Sequence, residues 1–144
     1  MKMLLLFLFL LPVSSFSQQT GRIEILDAKA FEAKKIHLKG TLLDVRNIEA
    51  FETGFIQGAE NMNWESKEFK SNVKKLPRYQ PVFIYCKSGD VSKKVADWML
   101  EDGFTTLIVL EKGLDSWKAL GLKVVNQQGE VLNPGRGADR SYEH

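Results

Sequence analysis

The chain is poor in the residues that hold metals and disulfides. Its 144 residues include one cysteine, Cys86, and two histidines, His37 and His144. A solitary cysteine cannot close an internal bridge, and with two distant histidines it makes no recognisable metal-ligand spacing. An excess of charge of one sign is also lacking. Twenty basic residues against 18 acidic ones leave a net charge of +2, with no sustained basic tract. That excludes a strong general attraction to nucleic acid or acidic membranes. No apolar run reaches the ~20 residues that comfortably span a bilayer. Internal repeats and low-complexity arrays are absent as well, and the length fits one domain.

The longest apolar run stands at the start. Met1-Lys2-Met3 carries a positive charge, Leu4 to Leu11 is unbroken hydrocarbon, and Ser14-Ser15-Phe16-Ser17 supplies small residues. That order is the signature of a secretory signal peptide, cleaved after Ser17 at a small-x-small site. No cysteine follows the run to accept a lipid. The expected mature chain is exported, periplasmic if the source is bacterial, with no stable membrane insertion after cleavage. Exported proteins use cysteines in pairs, so an unpaired Cys86 is inert, intermolecular or a working thiol.

The surroundings of Cys86 favour the last of these. Phe83-Ile84-Tyr85 reads as an apolar strand, Cys86-Lys87-Ser88-Gly89 as a short turn, and Asp90-Val91-Ser92 as the start of a helix. A cysteine kept only for packing would sit inside an element. At a strand–turn–helix junction the sulfur meets turn N–H groups and the positive end of a helix dipole. Both favour the thiolate, the reactive form.

The rest of the chain alternates in the same way. Ile23–Leu26 reads as a strand, and Asp27 as the N-cap of a helix over Ala28–Ile36. Thr41–Val45 is a short continuous apolar strand, as in a parallel sheet buried on both faces. Glu49–Thr53 is a helical turn, Phe55–Met62 a loop with a short strand, and Glu65–Leu76 a helix with Phe69, Val73 and Leu76 on one stripe. Pro81–Tyr85, a helix ending at Asp102-Gly103, Thr105–Leu110, a helix over Leu114–Leu120 and a strand Lys123–Val125 complete the pattern. The expected fold is α/β, a small parallel sheet flanked by helices on both faces. Sites in such sheets form beyond the C-terminal strand ends, where Asp44 and Cys86 both stand. The domain is expected over residues 22–125. Residues 126–144, polar and glycine-rich, read as a mobile tail.

Three stretches resemble the single-domain rhodanese family. Leu42-Leu43-Asp44-Val45-Arg46, followed by Phe51, Gly54, Ile56, Gly58, Ala59 and Asn61, is similar to the family's strand end and glycine-rich segment. Cys86-Lys87-Ser88-Gly89 is similar to its active-site loop. Gly113, Trp117, Gly121 and Val124 resemble its C-terminal signature. All three occur in the family's order. The resemblance implies a sulfurtransferase. Cys86 would take a sulfane sulfur from a donor such as thiosulfate or polysulfide, hold it as a persulfide, and pass it to a thiol or cyanide. The backbone N–H groups of Lys87, Ser88, Gly89, Asp90, Val91 and Ser92 would cradle the sulfur, with Lys87 attracting the anion and Asp44 and Arg46 in support. No metal and no organic cofactor are implied.

The chain also departs from the family pattern. Val91 occupies a loop position where arginine, serine or threonine is common, with Ser92 one step further along. That change removes a side-chain donor and favours a catalytically silent binding module as the alternative. Asp90 is expected to bring an opposing negative charge near the sulfur. A cysteine phosphatase, whose loop ends on an arginine six places after the cysteine, would need arginine where this chain has Ser92. Trp64, Trp98 and Trp117 read as packing residues.

Overall fold

A computed structural model describes residues 20–133. The expected leader, residues 1–17, lies outside the described residues. In chain order the elements are β1 (Arg22–Leu26), α1 (Ala28–His37), β2 (Thr41–Asp44), α2 (Ile48–Glu52), β3 (Phe55–Ile56), β4 (Glu60–Asn61), α3 (Phe69–Val73), β5 (Val82–Tyr85), α4 (Asp90–Glu101), β6 (Thr106–Leu110), α5 (Gly113–Ala119) and β7 (Val124–Val125). Five strands form one parallel sheet in the order β1-β6-β5-β2-β4. No helix among the described residues is long and apolar enough to cross a membrane.

The continuous apolar strands are covered on both faces. Leu43, Ile84, Leu107 and Val109 pack with Phe69 and Val73 of α3 and Val95 and Met99 of α4. Their neighbours Leu42, Phe83, Tyr85, Ile108 and Leu110 pack on the other face with Phe31 of α1 and Leu114 and Trp117 of α5. Alternation of side chains along each strand makes two cores from one sheet. Asp27 caps α1, accepting the Ala30 N–H at 2.8 Å. This is the expected architecture.

Strand order positions the site. From β2 the chain moves outward to the edge strand β4, then returns to β5 and continues to β6. The connections leaving β2 and β5 therefore diverge, and a crevice opens between their C-terminal ends. Asp44 ends β2 opposite Tyr85, which ends β5.

Three expectations need correction. The helix expected over Glu65–Leu76 shrinks to Phe69–Val73. Asn63 accepts the Glu65 N–H at 3.0 Å, and the Trp64 N–H donates to the Val45 carbonyl at 3.1 Å, so the chain turns before the helix begins. Local side-chain and tertiary bonds outcompete helix propensity here. The last strand shortens to Val124–Val125 and pairs antiparallel with Phe55–Ile56 in a separate two-stranded sheet. The tail, expected mobile from Asn126, is instead tied down as far as Asn133. The Leu132 N–H donates to the Val124 carbonyl at 2.9 Å, and Asn133 accepts the Val124 N–H at 2.7 Å while donating to the Leu122 carbonyl. Polar composition hid these bonds, because they depend on the chain turning back on Leu122 and Val124. The remainder of the tail lies outside the described residues.

Candidate active site

Cys86 follows the last paired residue of β5. The loop behind it turns on Gly89, whose φ of +101° is the left-handed conformation that glycine adopts without strain. A Cβ there would stand 1.9 Å from the Glu111 carbonyl oxygen, so the loop lies directly against the end of β6. The Gly89 and Ser92 N–H groups both donate to Cys86 Sγ, at 3.1 and 3.4 Å. The first turn of α4 adds the positive end of its dipole.

The loop carbonyls are held away from the sulfur. The Leu114 N–H donates to the Cys86 carbonyl at 2.8 Å, and the Asp115 N–H donates to that of Lys87 at 3.1 Å. Close approach of α5 requires Gly113, where a Cβ would fall 2.4 Å from the Lys87 oxygen. One helix start binds the loop's acceptors and leaves its donors facing Sγ. This is a preformed cup for negative charge on sulfur.

The hydroxyl of Ser92 completes the floor. It is fully buried, lies 3.5 Å from Sγ and donates to the Gly89 carbonyl at 3.0 Å. Cys86 itself is only 4% exposed, yet it lines an open cleft of about 390 Å³. Lys87, Ser88, Val91 and Arg46 share that cleft. Lys87 is strongly exposed and sits 3.7 Å from Asp115. Asp90, expected beside the sulfur, is exposed on the first turn of α4 and is absent from the cleft wall.

Asp44 acts from below. It is fully buried and grips Arg46, with Nε at 2.9 Å from Oδ1 and Nη2 at 2.6 Å from Oδ2. Nη2 also donates to the Gly54 carbonyl at 2.8 Å. Burial opposes the Arg46 charge, but the bonds and charge of Asp44 outweigh it and raise the guanidinium above its usual range. The pair fixes the cleft wall between β2 and α2.

Tyr85 lies beneath this pair, accepting the Ile56 N–H at 3.1 Å. Burial, followed by the Asp44 charge, pushes its hydroxyl well above the ordinary 10.0. The folded chain keeps this proton where the unfolded chain releases it. Stability from this group is therefore complete below pH ~10 and falls as the pH rises beyond it. Tyr85→Phe should cost about 1–3 kcal/mol at neutral pH, because the Ile56 N–H loses its acceptor. It should also flatten the loss of stability above pH ~10. Urea melts across alkaline pH check both.

Several cleft residues escaped the sequence reading. Trp64 lines the cleft and packs edge-to-face on Phe69, with ring centroids 5.4 Å apart. Its one signal was an aromatic ring set in the polar stretch Asn63-Trp64-Glu65-Ser66. Asn47, Ala50, Leu114, Asp115 and Lys118 reach the cleft through the crossing of the chain, and nothing local marked them. Among the described residues, no group of three or more His, Cys, Asp or Glu is arranged to hold a metal.

Comparison with known proteins agrees with the geometry. The Rhodanese-like domain family model matches residues 24–120. The chain belongs to the rhodanese-like domain family. Protein YqhL of Bacillus subtilis is 28% identical over 105 residues, covering 73% of this chain and 80% of that protein. The adenylyltransferase and sulfurtransferase UBA4 of Meyerozyma guilliermondii is 32% identical over 82 residues, covering 53% of this chain but 19% of that longer protein. Among solved structures, the polysulfide-sulfur transferase homodimer of Wolinella succinogenes superposes with a TM-score of 0.59 at 21% identity, covering 85% of each chain. The rhodanese-like fold is thus shown, in a family that includes sulfurtransferases.

Proposed function

We propose that this rhodanese-like chain is a sulfurtransferase that carries sulfane sulfur on Cys86. The thiolate attacks the outer sulfur of a donor such as thiosulfate or polysulfide. A bond forms from Sγ to that sulfur, the donor's S–S bond breaks, and its electron pair leaves with the remainder of the donor, sulfite in the case of thiosulfate. A thiol or cyanide then attacks the outer sulfur of the persulfide and releases the Cys86 thiolate. The observation that carries this reading is the cup: Sγ receives N–H groups from Gly89 and Ser92 while lining an open cleft. The charged, apolar and small-residue order of residues 1–17 supports an exported location, the periplasm in a bacterial cell.

Mass spectrometry of the purified protein after donor treatment tests it. The expected result is one added sulfur atom, mapped to Cys86 and discharged by cyanide as thiocyanate. Absence of an adduct with every donor overturns the proposal. A silent sulfur-sensing or protein-binding module is the second reading, favoured by Val91 at the end of the loop. An adduct on Cys86 that cyanide and thiols cannot discharge would support it.

A further inference from the structure

We infer that the cleft above Cys86 selects an organic sulfane-sulfur donor over an inorganic dianion such as thiosulfate. The preferred donor is a singly charged persulfide or thiosulfonate with an apolar body. This rests on the sulfur-transfer reading and narrows its substrate class.

The first observation is size. The cleft holds about 390 Å³, within the ~300–1,000 Å³ typical of sites for organic ligands and far more than a small oxyanion fills. The second is the wall. Trp64 and Val91, both partly exposed, offer hydrocarbon to the cleft, and the buried Val45 and Leu114 line it as well. Trp64 is held by its ring contact with Phe69 and by its N–H bond to Val45. The apolar face therefore exists before a ligand arrives and needs little ordering on binding. Val91, in the first turn of α4, adds to this face and brings no side-chain hydrogen-bond donor.

The third observation is charge. Arg46 is committed to Asp44, and Lys87 stands beside Asp115. Glu65 faces the same cleft. Of the cleft's cations, Lys118 is the one without an ion pair among the described residues. A doubly charged donor would lose water here with little to balance its second charge. A singly charged sulfane sulfur meets Lys118 and the cup, and its organic body meets the Trp64 side.

With a thiosulfonate, the Cys86 thiolate attacks the terminal sulfur. The Sγ–S bond forms, the bond from that sulfur to the sulfonyl sulfur breaks, and the pair leaves on the sulfinate. Charge and electrons balance without an added oxidant.

Methanethiosulfonate and benzenethiosulfonate share one reacting group and one charge, and the Trp64 variants separate the contribution of the body from that of the leaving sulfinate. With the full chain and cyanide as acceptor, kcat/KM should be about tenfold higher for the benzene compound. Thiosulfate should be slower than both. Trp64→Ala should bring the ratio of the two organic donors close to one, and Trp64→Phe should keep most of it. Equal kcat/KM for the two organic donors, a ratio unmoved by Trp64→Ala, or faster turnover of thiosulfate each overturns the inference. If Trp64→Ala fails to fold, the wild-type ratio and Trp64→Phe still decide it. If no donor leaves sulfur on Cys86, the sulfur-transfer reading itself falls, and the donor preference with it.

Discussion

Cys86→Ser is expected to lower sulfur transfer from donor to cyanide by at least about 10³-fold, to the level of the uncatalysed exchange. A serine hydroxyl stays protonated at neutral pH and forms no stable bond to sulfane sulfur under these conditions. The chain has no other cysteine to take over. The fold should survive, because Gly89 and Ser92 can donate to an oxygen as they do to Sγ. The change in stability should therefore stay within about 1–2 kcal/mol. Thiocyanate formation and a thermal melt, measured on the same preparation, separate the two effects. Turnover retained in Cys86→Ser would mean that the reaction does not pass through a covalent sulfur at this position.

Arg46→Ala should strongly destabilise the fold. Asp44 is wholly buried, and Arg46 supplies its side-chain bonds through Nε and Nη2. Removing the guanidinium leaves a buried carboxylate with one backbone N–H, that of residue 46 at 3.0 Å. An uncompensated buried charge costs about 3–5 kcal/mol, which for a domain of this size lowers Tm by on the order of 10–20 °C. The Gly54 carbonyl loses its donor as well. Removing both partners should hurt less than removing one. Asp44→Ala combined with Arg46→Ala should recover at least about 1 kcal/mol relative to Arg46→Ala alone. Urea melts of the wild type and the two variants measure this. A loss below about 1 kcal/mol in Arg46→Ala would show that water reaches Asp44 and that the pair adds little.

The places of both residues at strand ends were legible in the sequence, and for identifiable reasons. Cys86 stood where an apolar run met a glycine turn and a helix start, a pattern that depends on neighbours in sequence. Asp44 and Arg46 followed another apolar run at the second strand end. The cores were equally plain, because Val82–Tyr85 and Leu107–Leu110 are continuous apolar runs buried on both faces. The misreadings have one cause. Residues 65–76 have helical composition, yet Asn63 and the Val45 carbonyl hold the chain in turns before Phe69. Residues 126–133 look like a solvated tail, yet Asn133 binds the Val124 N–H of β7 and the Leu122 carbonyl just before it. In each case particular side-chain and backbone bonds outweigh the preference that composition suggests.

The sequence by itself determined the alternating architecture, the two-sided core and the place of Cys86 at a strand–turn–helix junction, because these follow from hydrophobic period and turn chemistry over a few residues. Tertiary structure alone decided the direction of the loop's amides and the lining of the cleft. Gly113 lets α5 bind the carbonyls of Cys86 and Lys87, which leaves the N–H groups of Gly89 and Ser92 to the sulfur. Trp64, Leu114 and Lys118 meet over Cys86 because strand order brings three separate connections to one end of the sheet. Such meetings depend on how the chain crosses itself, and no local pattern of residues encodes that.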